Sequence, residues 1–156
     1  MAILSGILSL FGCGNKQDNN KTLLQTAKAK RIEISQLPEE LKLLQANKTQ
    51  FDFIGITSNG TDCIYFVKDG NNFQIEFEAM TQSQIPFIEK LKAFASQNGY
   101  ETQMTSYGNT PEYDSPTAPV LKIMTNSNLE KTAEIGQKIQ KEVFNNQAKT
   151  QYEVVP

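Results

Sequence analysis

Any chemistry in this chain has to run on carboxylates, hydroxyls and two thiols, because its 156 residues contain no histidine. The usual general base, the usual proton shuttle and the commonest metal ligand are therefore missing together. Triads built on His and His-based zinc sites are excluded. The two thiols, Cys13 and Cys63, lie far apart in sequence, without the close spacing of zinc knuckles or redox dithiols. Cys63 opens the apolar run Cys63-Ile64-Tyr65-Phe66-Val67 and reads as a buried thiol. Glu76 and Glu78 alternate along a strand and share a face, but that face is the polar one, so they read as solvated carboxylates rather than an acid–base pair. Asp52, Asp62 and Asp69 border turns and read as turn hydrogen-bonders, since no EF-hand spacing is present. The glycines form neither a dinucleotide fingerprint nor a phosphate loop. No catalytic, cofactor-binding or metal-ligating residue is predicted, and the chain reads as a non-enzyme.

A net charge of -2 provides no field for phosphate backbones, and no Arg-rich or aromatic RNA-binding signature appears, which excludes nucleic acid as the expected partner. Hydrophobic residues at 38% with charged residues at 21% place the body among globular chains rather than disordered ones. Residues 1–35 differ: an apolar, uncharged stretch, 2–11, runs through Gly12-Cys13-Gly14 into a polar and basic linker. Leu10-Phe11-Gly12-Cys13 resembles the lipobox of bacterial lipoproteins, which implies lipid attachment at Cys13. Two other readings stay open. The stretch can lie as a helix on a membrane surface, helped by Lys16, Lys21, Lys28, Lys30 and Arg31, or dock on its own domain or another subunit. It is too short to span a bilayer, which takes about twenty apolar residues.

Residues 36–156 must then supply a single domain. Pro38, Glu39 and Glu40 suit the start of a helix, and Leu37, Leu41 and Leu44 recur at helical spacing, which predicts a helix over 38–46. Three strands follow, over 50–57, 63–68 and 73–80, joined by Ser58-Asn59-Gly60-Thr61 and Asp69-Gly70-Asn71-Asn72 as an antiparallel meander. In the third, Phe73, Ile75, Phe77 and Ala79 face the core, while Gln74, Glu76 and Glu78 face water. Pro86 starts a second helix with an apolar stripe through Phe87, Ile88, Leu91, Phe94 and Ala95, stopped at Gly99. Strands over 100–107 and 120–124 come next, separated by a segment whose three prolines argue against regular structure. This loop, with Tyr107, Tyr113 and Asp114, is the candidate partner-binding surface. A last helix opens at a capping box from Ser127 to Glu130, and the tail at 152–155 has the pattern of a closing strand. Met80-Thr81-Gln82-Ser83-Gln84-Ile85 echoes Met124-Thr125-Asn126-Ser127-Asn128-Leu129, each leading from a strand into a helix.

The result is an α+β domain with an antiparallel sheet of about five strands, helices on one face, and the order α-β-β-β-α-β-β-α. Over residues 38–146 this order is similar to that of type III secretion chaperones and the YbjN-like domains that share their architecture. The resemblance implies a compact domain, often dimeric, that binds a partner polypeptide along its surface. The expected function is a protein-binding, chaperone-like accessory module of the cytoplasm that needs no cofactor. The alternative is a membrane-anchored accessory lipoprotein of the bacterial envelope, held through Cys13.

Overall fold

The computed structural model describes residues 29–108 and 117–155. Their elements are β1 (Arg31–Glu33), a 3-10 turn (Ile34–Gln36) leading into α1 (Leu37–Gln45), β2 (Phe53–Thr57), β3 (Ile64–Asp69), β4 (Asn72–Glu78), α2 (Ile85–Gln97), β5 (Glu101–Gly108), β6 (Thr117–Ser127), α3 (Leu129–Glu142) and β7 (Gln151–Val155). All pairings are antiparallel and join the strands into one seven-stranded sheet in the order β1-β7-β2-β3-β4-β6-β5.

Register puts the apolar positions of neighbouring strands opposite one another. Ile54 faces Phe66, Phe66 faces Ile75, and Ile75 faces Ile123, while Phe77 faces Leu121. All of these are buried. Because side chains alternate along a strand, they line one face of the sheet. All three helices cover that face. α1 brings Leu37, Leu41 and Leu44; α2 brings Ile88, Leu91, Phe94 and Ala95; α3 brings Leu129, Ala133, Ile135 and Ile139. Just past α3, Phe144 ties two layers together, with its ring 5.9 Å from that of Phe77 and 4.8 Å from that of Phe87. Each fully buried Phe or Leu contributes roughly 1.5–3 kcal/mol, so this shared face is the main source of stability.

The structure corrects the expected sheet in several places. It has seven strands rather than about five, and the order is β-α-β-β-β-α-β-β-α-β. The unexpected strand is β1, inside the segment read from sequence as a linker; the tail is a strand as its pattern suggested, β7, and lies between β1 and β2. β6 starts at Thr117 and runs for 11 residues through Pro119. Proline is tolerated there because pairing of β4 with β6 ends at Glu78 and Val120, so no ladder bond needs an amide hydrogen at 119 on that side. The Pro119 carbonyl still accepts from the Ala79 amide at 3.0 Å. The cap of α3 is Asn128, whose side chain accepts from the Lys131 amide at 3.0 Å, rather than Ser127, which ends β6 and bonds Thr132 instead.

The polar face of β4 is not wet either. Gln74 and Glu76 are buried, because central strands shield each other: Glu76 pairs with Lys122 of β6 at 2.8 Å, and Tyr65 and Val67 of β3 stand beside them. The echoed hexapeptides do lead from β4 toward α2 and from β6 into α3, and these two strands are neighbours in the sheet.

α3 approaches β3 closely at Gly136. A β-carbon there would lie 2.7 Å from Cζ of Phe66 and 3.0 Å from Cδ2 of Leu37, inside van der Waals contact. Glycine inside a helix ordinarily costs about 1 kcal/mol relative to alanine, so propensity alone favours replacement. Overpacking of a rigid core costs about 1–3 kcal/mol and opposes it. We expect the clash to win: Gly136→Ala should lower the urea midpoint, and the added change Phe66→Leu should recover part of the loss. A Gly136→Ala protein more stable than the parent would show that the helix is free to move away.

Candidate functional site

The turn between β2 and β3 is built around a buried carboxylate. The Asn59 side chain accepts from the amides of Thr61 and Asp62, at 2.8 and 3.3 Å, which curls the chain so that Asp62 points back into the turn. Asp62 is only 1% exposed. Its Oδ1 accepts from the Thr57 hydroxyl at 2.7 Å and the Ser58 amide at 2.9 Å, and its Oδ2 accepts from the Ser58 hydroxyl at 2.5 Å and from Nδ2 of Asn146 at 2.6 Å. Among the described residues no Lys or Arg forms an ion pair with it. Burial pushes its pKa up, but the hydrogen bonds from Ser58, Thr57 and Asn146 outweigh burial and hold the carboxyl below its usual value of 3.8.

Asn146 reaches this carboxylate because of how α3 ends. Asn145 adopts a left-handed φ of 59°, and the Asn146 amide turns back to the Gln140 carbonyl at 2.9 Å, a common way to close a helix. Asn146 also donates to the Gln140 side chain at 2.8 Å, and Gln140 donates to the Asp62 carbonyl at 3.0 Å. The β2–β3 turn is thereby clamped to the end of α3. A short turn follows, in which the Gln147 amide donates to the Thr150 hydroxyl at 3.0 Å, and β7 begins.

Between this segment and the 3-10 turn lies a half-open cleft of about 490 Å³. Ile34, Ala148 and Tyr152 supply apolar surface, and Gln137, Gln140, Asn145, Asn146 and Gln147 supply side-chain amides, with Lys141 beside them. Asn145 and Gln147 are exposed, whereas Tyr152 is buried. Burial, then the charge of Asp62, pushes the Tyr152 hydroxyl up to about 12, so it stays a neutral hydrogen-bonding group.

The residues singled out from sequence fall elsewhere. Cys13, Tyr113 and Asp114 lie outside the described residues. Tyr107 lies in β5, paired with Ala118, at the far end of the sheet from the cleft. Cys63 is half-buried and its thiol is pushed up to about 11, chiefly by burial and then by Glu78 and Asp62, against a hydrogen bond with Tyr65. A thiol held protonated is a poor nucleophile and a poor metal ligand. No group of three or more acidic or thiol ligands converges among the described residues, and no described helix is long and apolar enough to cross a membrane. Comparison with known protein families, characterised proteins and solved structures found no match to this chain.

Sequence reasoning recognised Asp62 as a turn residue but missed Gln140, Asn146 and Tyr152. No local pattern announces a bond between residues 84 positions apart.

The carboxylate network has a definite pH signature. Its pKa is lowered on folding, so it stabilises the protein fully above the unfolded value of 3.8 and that stabilisation is lost as pH falls through the folded value. Asp62→Asn should cost about 2 kcal/mol near neutral pH, since it removes hydrogen bonds to a buried charge. Denaturation of both proteins between neutral and acid pH should show the gap narrowing below about pH 4; a gap constant with pH would mean that the charge of Asp62 is not what the network holds.

Proposed function

We propose that this chain is a non-enzymatic, chaperone-like protein-binding module, and that a segment of the partner polypeptide enters the cleft between the end of α3 and β7. The lining of that cleft carries the reading. A peptide group presents one donor and one acceptor, and each Gln or Asn side chain offers both in return. Gln137, Asn145 and Gln147 place such amides above the apolar surface of Ile34 and Tyr152. Concave, partly apolar sites with a few convergent polar groups, of about 300–1,000 Å³, are where proteins hold ligands. The ionisable groups nearby support binding rather than turnover, because Asp62 is saturated by donors and Tyr152 and Cys63 keep their protons.

A photo-crosslinking amino acid at Gln147, an exposed position on the cleft, tests this in the protein's own cells. We expect a discrete polypeptide adduct that disappears when Ala148→Trp fills the cleft. An adduct indifferent to Ala148→Trp, or none at all, would remove the cleft from the function.

A second reading rests on Leu10-Phe11-Gly12-Cys13 followed, after Gly14, by the polar stretch 15–20: a membrane-anchored accessory lipoprotein of the bacterial envelope, tethered through Cys13. It predicts that the cellular protein begins at a lipidated Cys13 and that Cys13→Ser abolishes membrane partition. Intact mass decides it, and a cellular chain retaining Met1 rules it out.

A further inference from the structure

We propose that the outer edge of β5 is a self-association surface, on which a second copy of this chain lays its own β5 antiparallel and joins the two seven-stranded sheets into one. β5 pairs with β6 along its whole length, from Glu101 opposite Met124 to Gly108 opposite Thr117, and no described strand pairs with its other side. It is 8 residues long, more than the usual 5–6, and its edge offers a row of backbone donors and acceptors. Natural edges are normally blunted by Lys, Pro, bulges or short length. The opposite edge follows that rule, since β1 has only 3 residues and two are Arg31 and Glu33. β5 does not: Glu-Thr-Gln-Met-Thr-Ser-Tyr-Gly contains no Lys, Arg or Pro, and the sheet's one register shift lies between β4 and β6.

The helix leading into β5 leaves the outer side of this strand accessible: β5 residues 101–105 are exposed or half-buried. On α2, Lys90, Phe94 and Gln97 line a groove against Glu142 and Val143, on the side toward α3. The helix starts by the β2–β3 turn, where Gln84 donates to the Gly60 carbonyl at 3.1 Å, and ends just before β5. On β5 itself Met104 is 41% exposed, and it is on the helix-covered face because it pairs with Leu121.

A second copy fits this surface better than a chain of other chemistry. Two-fold pairing that keeps the helices of both copies on one side requires opposing residues of equal parity, and a register centred on Met104 sets Met104 against its counterpart. Thr102 then meets Ser106 and Gln103 meets Thr105 of the second copy, while the two Glu101 carboxylates fall at opposite ends. This surface is at the other end of the sheet from the cleft, and its fate is independent of the cleft's function.

Sedimentation velocity on the full chain tests the proposal. We expect a dimer whose dissociation constant rises about tenfold or more in Met104→Lys, which sets two like charges face to face, the variant keeping the parent's circular dichroism. Hydrogen exchange on the unaltered chain provides a reading that needs no variant: the amides of β5 should gain protection as protein concentration increases. A monomer at every concentration, or a dimer that tolerates Met104→Lys with unprotected β5 amides, overturns the proposal.

Discussion

A carboxylate buried without a cation must be surrounded by donors, and meeting that requirement at Asp62 organises one end of this domain. The donors come from its own turn and from Asn146, which the closing turn of α3 delivers. Once Asn146 is held, the chain leaving α3 is held too, and β7 enters the sheet between β2 and β1. Without β7 the sheet would stop at β2, and β1 would have no neighbour. Ile34, between β1 and α1, would then lose the wall it faces across the cleft. The cleft is thus a consequence of how one charge is solvated from within.

The core operates on a second constraint, the closeness of α3 to the sheet. Gly136 lets the helix settle against the ring of Phe66, and Leu37 of α1 closes the same contact. This brings α1 and α3 together over β2, β3 and β4, while α2 covers the β5 and β6 end. On the face that none of the described helices covers, the sheet protects itself laterally. Glu76 and Lys122 pair at 2.8 Å between neighbouring strands, and the Phe53 and Tyr65 rings meet edge-on at 5.9 Å. A polar residue on a wide sheet is enclosed by the side chains of adjacent strands even when no helix covers it.

The two ends of the sheet differ in chemistry. One carries a three-residue, charged edge strand beside a cleft rich in amides. The other carries a long, almost uncharged edge strand. The first arrangement suits a polypeptide recognised through its backbone and side-chain polar groups, and the second suits continuation of the sheet itself.

The α+β class, the meander β2-β3-β4, the inward positions Phe73, Ile75 and Phe77, and the helix after Ile85 were all legible in the sequence. Each rests on a period or a turn signal contained in a short window, where neighbouring residues decide the outcome. The tertiary structure alone decided the rest. β1 is too short to show a period, with Ile32 as its one apolar residue, and its partner is the far end of the chain. Whether Pro119 breaks a strand depends on which side of it lacks a neighbour, and whether Glu76 is wet depends on Tyr65 and Lys122 across the ladders. The bond from Asn146 to Asp62 joins residues 84 apart. These features depend on what folding brings alongside a residue, and a sequence read locally carries no record of that.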